Sequence, residues 1–207
     1  MSVLEELASG LGERGDQPNV RLVEKLTDLE DTQGIREIGA GLRHSDKKVQ
    51  SDCIKVLYEI GYRKPELVAD FAGDFLALLT SKNNRLVWGA MIGLSTIAHL
   101  RYNVLFENLT LIQTTMDTGS VITMDAGMKT LSRMAAADPS CHPKIFPWLL
   151  DRLRLCRPKS VALYAEFISE AVHPENTADF IQVLELRDAD LSPAQQKRVS
   201  RIRKNLQ

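Results

Sequence analysis

Aromatic residues and cysteines are scarce in this sequence. Aromatic side chains make up 6% of the 207 residues, and the three cysteines are an odd, widely spaced set: Cys53, Cys141 and Cys156. Such a set does not suit a disulfide framework, and it predicts reduced thiols in a cytoplasmic protein. The core must therefore be built mainly from aliphatic side chains.

Export and membrane signals are also missing. Residues 1–11 include Glu5 and Glu6 but no basic stretch ahead of an apolar run, which is unlike a secretory signal. No uninterrupted apolar run is long enough to span a bilayer. We therefore expect a cytoplasmic protein with no membrane partner.

The sequence has no excess of charge of either sign. Lys and Arg number 26 against 27 Asp and Glu, so the overall field attracts a polyanion only where charge is segregated on the surface. Hydrophobic residues make up 44% of the chain and charged residues 26%, a composition typical of a globular protein rather than a disordered one.

Signatures of enzymatic chemistry are absent as well. No Gly-rich phosphate-binding loop follows a strand, and no convincing strand is present. The histidines lack the i, i+4 spacing that puts two metal ligands on one helix face: His44, His99, His142 and His173. We expect no catalytic residue, no cofactor and no metal site.

What the sequence does contain is an internal repeat with a step of 37 residues. Aliphatic residues recur at Leu57, Leu94, Leu131 and Ile168. A second series of apolar residues has the same step: Ile38, Phe75, Ile112, Leu149 and Leu186. Two apolar series at one period indicate that each repeat holds two amphipathic helices.

The repeat predicts five helical hairpins. The first helices are expected at about residues 33–43, 66–80, 103–117, 143–155 and 175–187, and the second at about 46–61, 84–100, 120–137, 159–172 and 193–206. An earlier pair, at about 3–11 and 19–29, is expected to form an N-terminal cap. Polar residues positioned to cap the second helices are Asp46, Asn84, Ser120 and Ser192.

The starts of two second helices resemble the HEAT and armadillo families. They read Asp46-Lys47-Lys48-Val49 and Asn84-Arg85-Leu86-Val87, and small and aliphatic positions such as Ala90, Leu94 and Ile97 follow. The resemblance implies an all-α fold, a right-handed α-α superhelix (solenoid) of about five hairpins. It would form one domain over 1–207, with a cap at 1–31, repeats at 32–191 and a basic capping helix at 192–207. The alternative is an irregular helical bundle.

In HEAT proteins the second helices line the concave face, which implies a binding surface for this chain. The residues expected there are Trp88, Arg85, Lys48, Lys55, Ile92, Tyr58 and Tyr62. A tryptophan with aromatic and basic neighbours is typical of an interface hot spot, and it suits an acidic peptide or helix of a protein partner. The alternative is that Trp88 packs between adjacent repeats.

A second candidate surface is the basic C-terminal helix. Its cations are Lys197, Arg198, Arg201, Arg203 and Lys204. They favour either a solvated cap that suits the helix dipole, or capture of nucleic acid or another anion. The N-terminal segments are acidic, so weak head-to-tail self-association is a further alternative.

HEAT-like DNA glycosylases, which excise alkylated bases, provide an enzymatic alternative. They use aromatic residues and an aspartate on a basic concave face, and here Trp88 and Asp125 lie in one surface column, one repeat apart. In those enzymes the aspartate and a tryptophan share a helix, whereas Ile92 occupies the position one turn after Trp88. We therefore expect a non-catalytic adaptor or scaffold, with a nucleic-acid-binding relative as the alternative.

Overall fold

The computed structural model describes residues 2–206, which form an all-α protein without a β-strand. Five short 3-10 helices accompany the α-helices in this range. The α-helices are α1 (Ala8–Leu11), α2 (Gln17–Asp28), α3 (Thr32–Gly41), α4 (Lys47–Arg63), α5 (Ala72–Leu78), α6 (Asn84–Ile97), α7 (Tyr102–Glu107), α8 (Leu109–Thr118), α9 (Val121–Ala137), α10 (His142–Leu155), α11 (Val161–Ser169), α12 (Thr177–Leu186) and α13 (Pro193–Asn205). No helix of the described chain has the length and apolar character needed to cross a membrane.

Side-chain caps fix where the second helices begin. The Asp46 carboxylate accepts a hydrogen bond from the Lys48 amide at 2.7 Å, and the Ser120 hydroxyl accepts one from the Thr123 amide at 3.2 Å. Ser192 forms a full capping box with Gln195 at the start of α13. Each cap satisfies an amide that the first turn of a helix leaves without a partner.

The cap predicted for α6 was wrong by one residue. Asn83, not Asn84, precedes the helix, and its side-chain oxygen accepts a hydrogen bond from the Arg85 amide at 3.1 Å. Asn84 is the first helical residue. The observed caps at Asp46, Asn83 and Ser120 are therefore spaced by 37 residues, the same step as the apolar series.

The chain divides into two compact units, Met1–Gly127 and Met128–Gln207, and the division falls within α9. In the first unit, α4 packs against α2, α3 and α6, and α6 also packs against α5. In the second unit, α11 packs against α10 and α13, and α12 packs against α10. The single repeat domain over 1–207, with its cap, repeats and capping helix, stays a prediction.

Apolar residues of both predicted series form the cores of the units. In the first series Leu57, Leu94, Leu131 and Ile168 are fully buried. In the second series, burial is complete for Ile38, Phe75, Ile112 and Leu149. Removing aliphatic side chains of this size from water stabilises a fold by about 1.5–3 kcal/mol each, so these positions contribute strongly to both cores.

The prediction that the fifth member of the second series is a core residue was wrong. Leu186 is 65% exposed, whereas Val183 is buried together with Phe180 and Leu184. Val183 follows Leu149 by 34 residues, so the last step is three residues shorter than the others. The apolar stripe of α12 therefore starts earlier, and Leu186, the last residue of that helix, falls outside it.

Candidate functional site

Equivalent caps place two basic residues in the first turns of neighbouring helices. Lys48 is the second residue of α4, and its amide is held by Asp46; Arg85 is the second residue of α6, and its amide is held by Asn83. Both basic side chains are exposed, and α4 packs directly against α6. The start of each helix therefore presents a cation on one surface of the first unit.

An aromatic cluster continues this surface along α4 and α6. The Trp88 and Tyr58 ring centroids lie 6.3 Å apart, and those of Tyr58 and Tyr62 lie 6.2 Å apart in an edge-to-face arrangement. The guanidinium carbon of Arg85 lies 5.9 Å from the centre of the Trp88 ring, within the range of a cation–π interaction. We call these four residues the Trp88 cluster: Tyr58, Tyr62, Arg85 and Trp88.

The members of the cluster differ in exposure. Tyr58 is only 8% exposed, although it was predicted to contact a partner, and burial raises the pKa of its hydroxyl to about 12. Trp88 and Ile92 are partly buried, and Tyr62 is 52% exposed. Tyr58 is thus a buried neighbour of the Trp88 ring, whereas Tyr62 and part of Trp88 remain accessible.

Lys55 is held by an acidic residue of the chain itself. Its ammonium lies 2.6 Å from the carboxylate of Asp16, and its side chain is only 16% exposed. Asp16 ends the loop between α1 and α2, so this loop reaches the exposed side of α4. The charge of Lys55 is therefore balanced within the chain, and its contact with a partner stays a prediction.

A groove with a volume of about 510 Å³ adjoins the cluster through Arg85. The start of α4 contributes Lys47, Lys48, Ser51 and Asp52, the start of α6 contributes Asn83 and Arg85, and the N-terminal segment contributes Ala8, Ser9, Glu13 and Gly15. Both Asp52 oxygens accept hydrogen bonds, from the Ser9 amide and from the Asn19 side chain, at 2.9 Å each. Ion pairs between described residues involve none of the three basic residues of the groove, Lys47, Lys48 and Arg85. We call it the α4–α6 groove.

Two of the five cations of α13 are neutralised by neighbouring carboxylates. The Arg198 guanidinium contacts Glu166 of α11 at 2.6 Å and holds the pKa of that carboxyl below its usual range. Arg203 pairs with Asp188 at 2.8 Å. Lys197, Arg201 and Lys204 are exposed. The helix therefore presents less positive charge than its sequence suggests.

The two residues weighed for DNA-glycosylase chemistry lie on different helices, and that alternative stays a prediction. Trp88 lies in α6 and Asp125 in α9, and Asp125 is partly buried. Within residues 2–206, no group of three or more His, Cys, Asp or Glu side chains is placed to hold a metal ion. Burial raises the pKa of the Cys53 thiol to about 12, which makes this cysteine a poor nucleophile.

Comparisons with known proteins define the fold but no family. No protein-family model matches the chain, and no curated protein matches it. The crystal structure of an engineered protein is similar over 100% of this chain and 97% of its own, with a TM-score of 0.67 and 14% sequence identity. At this identity the likeness supports the all-α fold alone.

Sequence reasoning missed the residues that shape the groove between the Trp88 cluster and the N-terminal segment. Lys47 and Asn83 could have been found by applying the 37-residue step strictly to the caps and to the residues that follow them. The ion pair between Asp16 and Lys55 has a weaker signal in the sequence. The loop before Asp16 contains two glycines, Gly12 and Gly15, which adopt left-handed φ values of 67° and 101°. Such glycines mark a sharp change of chain direction but not where it leads.

Proposed function

We propose that the chain is a non-catalytic binding module that captures a protein partner on the surface of α4 and α6. The Trp88 cluster is the observation that carries this proposal. A partly exposed tryptophan with a guanidinium over its ring and a buried tyrosine beside it is an apolar contact with a polar edge. Tryptophan, tyrosine and arginine are the residues that most often dominate interface energies.

The proposal includes a HEAT or armadillo-like repeat architecture, a solenoid of helical hairpins with a 37-residue period. Three observations support it: side chains buried at that step, caps at the same step, and pairs of packed helices in each unit. Stacked hairpins of this kind bury a continuous core and leave one helix row free for binding. That row would contain α4 and α6.

The chemistry of the surface suits a partner with an apolar side chain next to acidic ones. The Trp88 ring and Ile92 provide apolar contact, and Arg85 and Lys48 provide exposed cations beside it. Interfaces of this composition gain most of their affinity from the buried anchor, and the surrounding charges contribute orientation and association rate. An acidic peptide or helix with one large apolar residue fits this description.

Affinity capture from a native lysate tests the proposal, with the tagged chain and a variant that combines Trp88→Ala and Arg85→Ala. The matched control combines Trp148→Ala and Arg152→Ala, because Arg152 lies over the Trp148 ring at 4.5 Å in the second unit. We expect the first variant to lose a partner that the control retains, with both variants melting like the wild type. Nuclease treatment that removes every captured protein would favour the nucleic-acid alternative instead.

A further inference from the structure

The α4–α6 groove is lined by three basic side chains that form no ion pair with another described residue. Lys47 and Lys48 are the first two residues of α4, and Arg85 is the second residue of α6, so the positive ends of two helix dipoles lie beside these side chains. The two carboxylates of the groove differ in availability. Asp52 is engaged by the Ser9 amide and the Asn19 side chain, and Glu13 is exposed in the N-terminal loop.

An acidic residue of the same chain already pairs with Lys55, the basic residue of α4 nearest the groove on the same helix face. Asp16 pairs with Lys55, which follows Lys48 by two helical turns on α4. Two turns correspond to about 10 Å along the helix axis. An extended chain advances by about 3.3 Å per residue, so carboxylates about three residues apart would match the two lysines. The loop thus shows how an acidic segment can lie on this face.

We propose that the α4–α6 groove is the subsite that binds carboxylate side chains of an extended acidic segment in the partner. The inference rests on the proposed function, and it assigns the acidic part of the partner to the groove and the apolar part to Trp88. The groove has a volume of about 510 Å³. A nucleic-acid duplex would need a longer row of cations than Lys47, Lys48 and Arg85 supply.

Asp16 competes with the partner for Lys55 in this arrangement. Asp16→Asn removes the negative charge that pairs with Lys55 and leaves that ammonium for a carboxylate of the partner. Affinity for an acidic segment should therefore increase in this variant, whereas a purely structural role of the loop predicts no increase. The direction of the change makes this variant informative.

Fluorescence anisotropy with two labelled octapeptides tests the inference on the full chain at low and at moderate salt. One peptide has five glutamates followed by Leu-Leu-Phe, and the other has five glutamines in place of the glutamates. For the combined Lys47→Ala and Lys48→Ala variant we expect binding of the glutamate peptide to weaken roughly three- to thirtyfold, since exposed ion pairs contribute about 0.3–1 kcal/mol each. Binding of the glutamine peptide should not change.

The matched control combines Lys197→Ala and Lys204→Ala, which removes two exposed lysines from α13 and should leave both peptides unaffected. Trp88→Ala should weaken the binding of both peptides by the same factor, and Asp16→Asn should strengthen the binding of the glutamate peptide alone.

Failure of the wild type to bind the glutamate peptide at low salt, or equal binding of both peptides, would overturn the groove assignment. If only the Lys47 and Lys48 variant behaves like the wild type, the groove assignment is wrong and the Trp88 surface stands. If only Trp88→Ala behaves like the wild type, the proposed Trp88 anchor is wrong and the groove stands.

Discussion

Arg187→Ala is expected to destabilise the second unit strongly. The Arg187 side chain is buried, and its guanidinium donates to three backbone carbonyls at 2.7 Å each, those of Leu153, Arg154 and Cys156. These carbonyls lie at the end of α10, where a helix has no further amides to satisfy them. Arg187 also pairs with Asp190, so one side chain joins the end of α10 to the end of α12.

The loss can be estimated from these contacts. A hydrogen bond to a charged group contributes about 1.5–3 kcal/mol, but three bonds from one guanidinium are not additive, and water can reach part of the vacated space. Leaving a buried acceptor without its donor costs about 1–3 kcal/mol, and with three carbonyls affected we expect Arg187→Ala to cost about 3–5 kcal/mol. Arg187→Lys should be intermediate, because an ammonium cannot reproduce the planar fork of the guanidinium.

Urea denaturation followed by Trp148 fluorescence in a Trp88→Phe background measures the effect, because Trp148 then reports on the second unit alone. The matched control is Arg154→Ala, which removes an exposed arginine that pairs with Asp151. That control should change the free energy of unfolding by less than about 0.5 kcal/mol. An Arg187→Ala variant as stable as the control would refute the view that Arg187 caps α10.

Two further predictions concern the first unit. Gly61→Ala should destabilise it by about 1–3 kcal/mol in thermal or urea unfolding, because the added Cβ would clash with the hydroxyl oxygen of the buried Thr96. Gly73→Ala, with open space around its Cβ, is the control and should not destabilise. In an ultraviolet titration of the phenols, Tyr58 should ionise with a pKa of about 12, above the ordinary value of 10.0. The folded state favours the neutral phenol, so the contribution of Tyr58 to the free energy of unfolding is complete below pH 10 and is lost as the pH rises toward 12. Tyr58→Phe should remove this decrease in stability between pH 10 and 12. A decrease that persists in the variant would contradict the assignment to Tyr58.

The helices and their buried faces could be predicted from the sequence because both depend on local periodicity. The predicted range 143–155 differs from α10 by one residue, and the residues at the 37-residue step are buried in both units. The prediction was wrong at Leu186. The buried faces of α10 and α12 are separated by 34 residues, three fewer than the constant step assumed. An insertion or deletion in a connection shifts every later position, and after it the local i, i+3, i+4 pattern of Phe180, Val183 and Leu184 is a better guide than the constant step.

Arg187 shows a second limit of pattern reading. By the 34-residue step it follows Leu153, a buried residue of α10, so it takes the position of an aliphatic core residue. A charged residue there looks like a surface residue in the sequence, yet it is buried because its donors meet the carbonyls of α10. Burial of a polar group depends on its hydrogen-bond partners, and these come from residues more than thirty positions away.

The same dependence on partners decides which charged surface is the stronger candidate for binding an anion. Counting cations favours α13, with five, over the α4–α6 groove, with three. Glu166 and Asp188 neutralise Arg198 and Arg203, which leaves three exposed cations on an open helix. In the groove, Lys47, Lys48 and Arg85 line a concave surface beside the partly exposed Trp88 ring, together with Glu13 and with Asp52, whose two oxygens already accept hydrogen bonds. A concave site focuses the field of its charges and excludes part of the water that screens them, so each of these cations attracts a carboxylate more strongly than a cation on an open helix. The position of the carboxylates, which the sequence does not reveal, therefore matters as much as the number of cations in choosing between the two surfaces.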